Sequence, residues 1–506
     1  MFLKKKQKSL YDYLEQPLFK WPGTNEVFRV SHALAGALVM GASRSGKTSS
    51  IYKFFLKNWF KAGYGGLLTV TRVNDSEFIY DIAKKAGRED DIVYFKHGSP
   101  YNFNILEYEL NRQGGTIAST VDLLFLLHDV INKFQNPDSR GEESYWHNSA
   151  NNFLTSAITL LVIARKQVSW SALRKMGRDA FDQEGLHNYL MIRENLETTE
   201  EESPQWNEAY EAYMHLRASN FFVEVFDTAN ELELTNRDNQ RLQVCGDYML
   251  VQWPPYAQKT RSIVKEMIIS ITRPFETSEI LQEHFSAGFS EELDPKHTYL
   301  DGNKIVISGF GVKEYGLGGL IATTICKLAF TQAWERRDIF AEGPEAQPVM
   351  LAMDEFQFYL NSAAKESLYM STAGGSLICN LMVTQNLDNV IMSSGNSNAE
   401  AKARSLVGNL STKIFCANSN YTTNKFASDM IGRHFIDTTN TSISFENGNK
   451  QSYNQVYHPK VPTDHFTTLK TGRKENDYKV ETVVFQNGKR WKDGRNFAEI
   501  TFSQKD

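Results

Sequence analysis

The chain has 506 residues, is 41% hydrophobic and 23% charged, and carries a formal net charge of −5. That length exceeds what one compact core holds, so two or three subdomains are expected. The acidic balance excludes a globally basic nucleic-acid or membrane binder, so any contact with DNA has to come from local basic patches.

Residues 1–24 read as an N-terminal tail, in which Lys4, Lys5 and Lys6 are followed by no apolar segment of the signal-peptide kind. Residues 25–31 alternate polar and apolar like a partly exposed strand. The apolar run Ala37–Met40 then feeds into Gly41, Ala42, Ser43, Arg44, Ser45, Gly46, Lys47 and Thr48, and a helical segment, Ser49 to Phe60, follows. Those eight residues fit G-x-x-x-x-G-K-[ST], and the strand–loop–helix context makes the pattern a phosphate cradle rather than an ordinary glycine turn. Backbone N–H groups from Gly41 to Ser49 would curl around the phosphates of ATP at the positive end of the helix dipole. Lys47 would reach the β- and γ-phosphates, and Thr48 would hold Mg2+ through its hydroxyl.

Further strands are expected at Leu67–Val70 and Asp91–Phe95, with a short helix at Ile79–Ala86 between them. Alternating strand and helix implies an α/β sheet with right-handed crossovers. From about 115 to 290 the character changes: Ile117–Phe134, Tyr145–Lys166, Trp206–Phe226 and Thr260–Phe275 carry apolar residues at helical spacing, and Leu196–Ser203 reads as a solvated linker. The expected organisation is a first nucleotide-binding part at 25–112, an inserted all-α domain at 113–295, and a second nucleotide-binding part at 296–506. In that last part strands are expected at Lys304–Ser308, Val349–Met353, Leu377–Thr384 and Thr412–Ala417, and a helix at Gly319–Arg337. Asn-Gly and Asp-Gly turns between Tyr478 and Phe502 predict a terminal β-hairpin. The cysteines Cys245, Cys326, Cys379 and Cys416 have no metal-type spacing and read as small buried hydrophobes in a reducing compartment. Near the N-terminus the longest mostly apolar stretch, Ala33–Met40, is far short of the ~20 residues a membrane span needs, which points to a cytoplasmic protein.

Asp354 and Glu355 stand directly after the apolar run 349–353. A phosphate-cradle enzyme needs a carboxylate there for Mg2+ and a base to orient the attacking water. Asp354 suits the first role and Glu355 the second, although an acidic pair at a helix N-terminus is the plainer alternative. Gln385 follows the strand 381–384, on the sheet edge where ligands bind, and could hydrogen-bond the γ-phosphate or simply cap a loop. Arg336 and Arg337 close a helix, where cations favour the dipole, and read as structural.

This layout resembles the coupling ATPases of type IV secretion systems, the TraG/TraD-like group, within the larger set of ring-shaped FtsK/HerA-type DNA motors. The matching features occur in order: the loop Gly41–Thr48, the segment Asn102–Leu106, the helical start Tyr145-Trp146 with Ala150 and Leu154, and Gly302–Ile305 before a strand. They continue with Arg336-Arg337, Asp354–Gln357, Thr384–Asn386, Asn409–Phe415 and Ile431-Gly432, so that roughly residues 25 to 500 are covered. The resemblance implies a RecA-like P-loop core with a mostly parallel sheet and an inserted all-α domain, working as a homohexamer that moves DNA in conjugative transfer. It makes Lys47 and Thr48 the triphosphate and Mg2+ ligands, Asp354 and Glu355 the Walker B pair, and Gln385 the γ-phosphate sensor. It also implies an arginine finger from a neighbouring subunit, for which Arg404 and Arg433 are positional candidates, and secretion-system or relaxase-type partners that could recruit the protein to the inner membrane. Thr71–Asp75 departs from the family's usual Asp-Pro-Lys-Gly-like turn.

Candidate DNA-gripping residues are Lys313 and Tyr315 in the glycine-rich segment Gly309–Gly319, where an ordinary loop is the alternative. Two other functions fit the same motifs: a HerA-like DNA-processing motor paired with a separate nuclease, and a regulatory ATP-binding switch that moves no DNA.

Overall fold

Strand and helix alternate in the computed structural model much as the apolar runs require. It describes residues 13–135, 144–300, 302–342, 346–360, 363–395, 398–444 and 448–505. The chain divides into two compact units, one made of 1–99, 294–314 and 326–506, the other of 100–293 and 315–325.

The first unit is α/β. Its strands are β1 (Pro17–Lys20), β2 (Val27–Arg29), β3 (Ala37–Met40), β4 (Gly65–Thr69), β5 (Ile92–Phe95), β6 (Ile305–Ser308), β7 (Val349–Met353), β8 (Ile378–Thr384), β9 (Thr412–Phe415), β10 (Arg433–Ser444), β11 (Gly448–Pro459), β12 (Lys479–Gln486) and β13 (Phe497–Ser503). The main sheet runs β13-β12-β9-β3-β8-β7-β4-β6-β5. From β9 to β5 every neighbouring pair is parallel, whereas β12 is antiparallel to both β9 and β13. β3, β4, β7 and β8 are buried along their whole length, as continuous apolar runs in a covered parallel sheet should be. The β12–β13 pair is the terminal hairpin expected from its turn residues.

One side of the sheet carries an aromatic cluster. Phe19 stacks on Phe28 at 4.6 Å and meets Phe55 edge-on at 5.2 Å, while Trp21 reaches Trp491 at 6.0 Å and Phe502 at 6.4 Å. These rings bind the β1–β2 hairpin to the helix Lys53–Lys61 and to the last strands. Pro17–Lys20, within the segment read as a tail, is therefore part of the packed structure.

The second unit is helical, with Ile117–Gln135, Ser144–Ile163, Trp170–Asp179, Gln183–Thr198, Pro204–Ser219, Phe221–Glu231, Asn236–Asp247 and Gln258–Thr272 as its longer helices. Two expected helices are shorter than their apolar pattern. The run Trp206–Phe226 breaks at Asn220, whose side chain accepts from Val223 N–H and caps the next helix. Thr260–Phe275 ends at Thr272, ahead of Pro274. The segment Leu196–Ser203, expected as linker, first completes the helix Gln183–Thr198.

Two further elements differ from expectation. The helix expected from Gly319 begins at Val312 and contains a non-helical break at Gly316 (φ 53°, ψ −128°), so Lys313 and Tyr315 lie in its opening turn and not on a glycine loop. The antiparallel ribbon β10–β11 was not expected from the sequence.

Candidate active site

The geometry of the sheet assembles the site. Neighbouring parallel strands β3, β8 and β7 stand in register, Met40 beside Thr384 and Met353 beside Met382, so the residues that follow each strand emerge at one edge. Those residues are Gly41, Gln385 and Asp354. This carboxyl edge is where open α/β sheets bind ligands.

The loop is anchored on both flanks, with Gly41 N–H donating to Thr384 O at 3.3 Å and Ala42 N–H to Ala417 O at 2.9 Å. Ser43 and Arg44 are exposed at its tip, with Arg44 at φ 62°, whereas Ser45 and Lys47 are buried. Gly46 has φ +86°, and a Cβ there would come within 2.5 Å of Val480 Cγ2 and 3.2 Å of Thr471 O. Only glycine meets both the left-handed backbone and the close approach. Residues Lys47–Tyr52 form a π-turn, and the α-helix proper runs Lys53–Lys61, slightly later than the segment Ser49 to Phe60 expected for it. Such π-turns recur at functional sites.

Thr48 Oγ1 donates to Asp354 Oδ2 at 2.9 Å, joining residues 306 positions apart. Asp354 Oδ1 accepts from the N–H of Glu355 at 3.0 Å. Burial, reinforced by the negative charge of Glu355, pushes the Asp354 carboxyl up to about 6, against the opposing pull of Lys47 and Thr48. Lys47 Nζ lies 3.6 Å from Glu355 Oε1, and both side chains are largely buried. Gln385 Nε2 donates to the same Oε1 at 3.0 Å, and Gln357 Nε2 to Oε2 at 2.8 Å. Glu355 itself sits at φ 52°, ψ 48°, a left-handed backbone that costs a non-glycine residue about 1–3 kcal/mol.

Lys47, Thr48, Asp354, Glu355 and Gln385 are therefore in one constellation. Arg404 pairs with Glu400 on its own helix at 2.5 Å, and Arg433 lies 3.9 Å from Asp429. Lys313 Nζ stands 5.0 Å over the ring of Phe358, in the turn that follows Glu355. Arg337 is structural: its guanidinium pairs with Glu342 at 2.6 Å and stacks 4.1 Å from the Tyr299 ring. The four cysteines are free and buried.

Two site residues had no sequence signal of their own. Asp75 opens the helix Val73–Lys85, within the Thr71–Asp75 segment, and its carboxyl is raised first by burial and then by Glu314 and Glu355. Gln504 Nε2 donates to Ser49 Oγ at 2.6 Å from the far end of the chain.

The donor set fits a magnesium nucleotide. Thr48 and Asp354 offer hard oxygen ligands, and Mg2+ commonly takes only one or two protein ligands beside phosphate and water. The ammonium of Lys47 and the N–H groups heading the π-turn supply the positive side of an anion site. Among the described residues no helix is long and apolar enough to cross a membrane.

Residues 348–471 match the family described as the TraM recognition site of TraD and TraG. No curated protein matches the chain. Solved structures with the same fold include the unbound monoclinic form of the bacterial conjugative coupling protein TrwBΔN70, with TM-score 0.53 and 11% identity over 97% of this chain and 90% of that one. The plasmid coupling protein TrwB with the non-hydrolysable GTP analogue GDPNP gives TM-score 0.53 and 11% identity over 98% and 90%. TrwB with ADP and Mg2+ gives 0.51 and 11% over 95% and 87%. Residues 348–471 are thus similar to the TraM recognition site of TraD and TraG, and the chain as a whole has the α/β fold of TrwB.

Proposed function

We propose that this protein is an ATP-driven DNA translocase, a coupling-type motor of conjugative transfer that works as a homohexameric ring. The observation that carries the reading is the Thr48–Asp354 hydrogen bond, which closes the phosphate loop against the acidic pair. TrwB was crystallised with ADP and Mg2+ and with non-hydrolysable GTP and ATP analogues, so a nucleotide with Mg2+ is the ligand this fold leads one to expect.

Each residue then has a task. Lys47 leaves Glu355 for the β- and γ-phosphates, and loop N–H groups between Ser43 and Ser49 cradle the rest, while those of Gly41 and Ala42 stay on Thr384 O and Ala417 O. Thr48 and Asp354 hold Mg2+, which when bound neutralises charge on the phosphate oxygens. Glu355, released from Lys47, orients the attacking water and takes its proton, while the Gln385 amide faces the γ-phosphate.

Local charge supports a nucleic-acid partner despite the acidic total. A cleft of about 730 Å3 in the helical unit is lined by Arg165 and Arg237, by Lys166 and Arg241, which pair with Glu224 and Asp238, and by Glu107. Phosphate contacts of this kind are blind to sequence and weaken with salt. The description of the matched family adds a TraM-type partner for residues 348–471, beside secretion-system or relaxase-type partners.

The test is ATP turnover with and without single- and double-stranded DNA, for the intact chain and for Glu355→Gln. The intact protein should be stimulated by DNA, and the variant should bind ATP yet hydrolyse it about 100-fold more slowly or worse. Turnover indifferent to every nucleic acid would replace the motor with a regulatory switch.

A further inference from the structure

The phosphate loop is held on one side by Gln504, the residue that follows β13. Gln504 Nε2 donates to Ser49 Oγ at 2.6 Å, and Gln504 Oε1 accepts from Arg473 N–H at 2.7 Å. The backbone N–H of Gln504 bonds Tyr478 O at 2.9 Å, and Lys53 Nζ reaches Gln504 O at 3.4 Å. One glutamine therefore ties the head of the P-loop helix to the turn Thr471–Tyr478.

That turn is strained. Arg473, Asp477 and Tyr478 all have left-handed backbones, at φ 64°, 51° and 59°. Each is a sparsely populated conformation for a non-glycine residue, and such strain gathers at ligand clamps. Gly472 sits at φ +83°, and a Cβ there would collide with the Gln504 amide. Arg473 is exposed on the turn, and Lys505 Nζ lies 4.3 Å from the Tyr478 ring centroid.

The site has a direction. Lys47 and Gln385 converge on one carboxylate oxygen of Glu355 and mark the γ-phosphate end. Loop N–H groups cradle the α- and β-phosphates, so the phosphate chain runs from that end toward the start of the helix, and the nucleoside leaves the cradle beside Ser49.

We infer that Gln504 and the turn Thr471–Tyr478 form the subsite for the nucleoside half of the nucleotide. The Gln504 amide has one further N–H and one further lone pair for the ribose hydroxyls. This assignment rests on the proposed ATP site and deepens it: phosphates are held by the loop, the nucleoside by the chain's last strand and the strained turn.

The experiment compares ADP with inorganic tripolyphosphate, which has the phosphates and no nucleoside. Binding of each to the full chain is measured calorimetrically for the unaltered protein, Gln504→Ala and Gly472→Ala, with thermal melting as a check on folding. Both variants should bind ADP about 5- to 10-fold more weakly and tripolyphosphate as before. Unchanged ADP affinity, or equal weakening of both ligands, overturns the subsite. If the unaltered protein binds neither ligand, the ATP-site reading itself fails, a different outcome. Should a variant unfold, hydrogen exchange on the unaltered protein decides: ADP must protect residues 471–478 and tripolyphosphate must not.

Discussion

Gln385 Nε2 and Lys47 Nζ converge on a single oxygen, Glu355 Oε1, at 3.0 Å and 3.6 Å. With Gln357 on the other oxygen, the carboxylate of Glu355 is fully engaged. It becomes free to act on water only once Lys47 has another anion to serve. Gln385→Ala should therefore lower kcat by about 10- to 100-fold with KM for ATP within about threefold. Steady-state turnover checks this, and a raised KM at unchanged kcat would assign Gln385 to binding alone.

Thr48→Ala removes the donor to Asp354 Oδ2 and leaves that carboxylate buried. The Mg2+ concentration needed for half-maximal ATP binding should rise about tenfold or more. With Mg2+ chelated, the variant and the parent should bind nucleotide with nearly equal affinity. A titration of Mg2+ against nucleotide binding separates the two.

Lys327 and Glu366 form a buried ion pair, and Lys327 Nζ also donates to Tyr359 O at 2.6 Å, in the turn after Glu355. Lys327→Met strands the carboxylate of Glu366 and should cost about 3–5 kcal/mol. The double variant Lys327→Met with Glu366→Leu should recover most of it, because apolar pairs commonly replace buried ion pairs without loss. Urea denaturation of the four proteins in the cycle measures the coupling.

His32 Nδ1 accepts the N–H of Arg29 at 3.1 Å, at the start of the helix that leads into β3. Burial, then the charges of Lys489 and Arg29, lowers its pKa from 6.5 to about 4. Between those values the unfolded chain binds the extra proton and the folded chain does not, so this contribution is complete above pH 6.5 and is lost as pH falls toward 4. His32→Gln should flatten that part of the melting temperature's pH dependence. A slope unchanged in the variant would remove His32 as its source.

The phosphate loop was legible because its chemistry is local: glycines, lysine and threonine must stand at fixed spacing in one turn. Asp354, Glu355 and Gln385 were legible for a different reason, since each follows a buried apolar run and parallel strands deliver their ends to one edge. The ribbon β10–β11 was missed because its middle, from Thr438 to Ser442 and from Asn449 to Ser452, is polar, so no apolar period marks it; the Asn447-Gly448 pair was the available signal. The break at Asn220 hid inside an apolar pattern that a side-chain cap interrupts. Gln504 could not be seen at all, because its partner Ser49 lies 455 positions away and no spacing rule connects them.

The pairing of β3 with β8 and β9 governs when this protein can acquire its shape during synthesis. The strand bearing the phosphate loop leaves the ribosome long before its hydrogen-bonding neighbours, which begin only at Ile378 and Thr412. At about 5–20 residues per second, an apolar segment waits roughly 20–70 s without lateral partners. That interval is when a nascent chain is most open to aggregation and most in need of a chaperone.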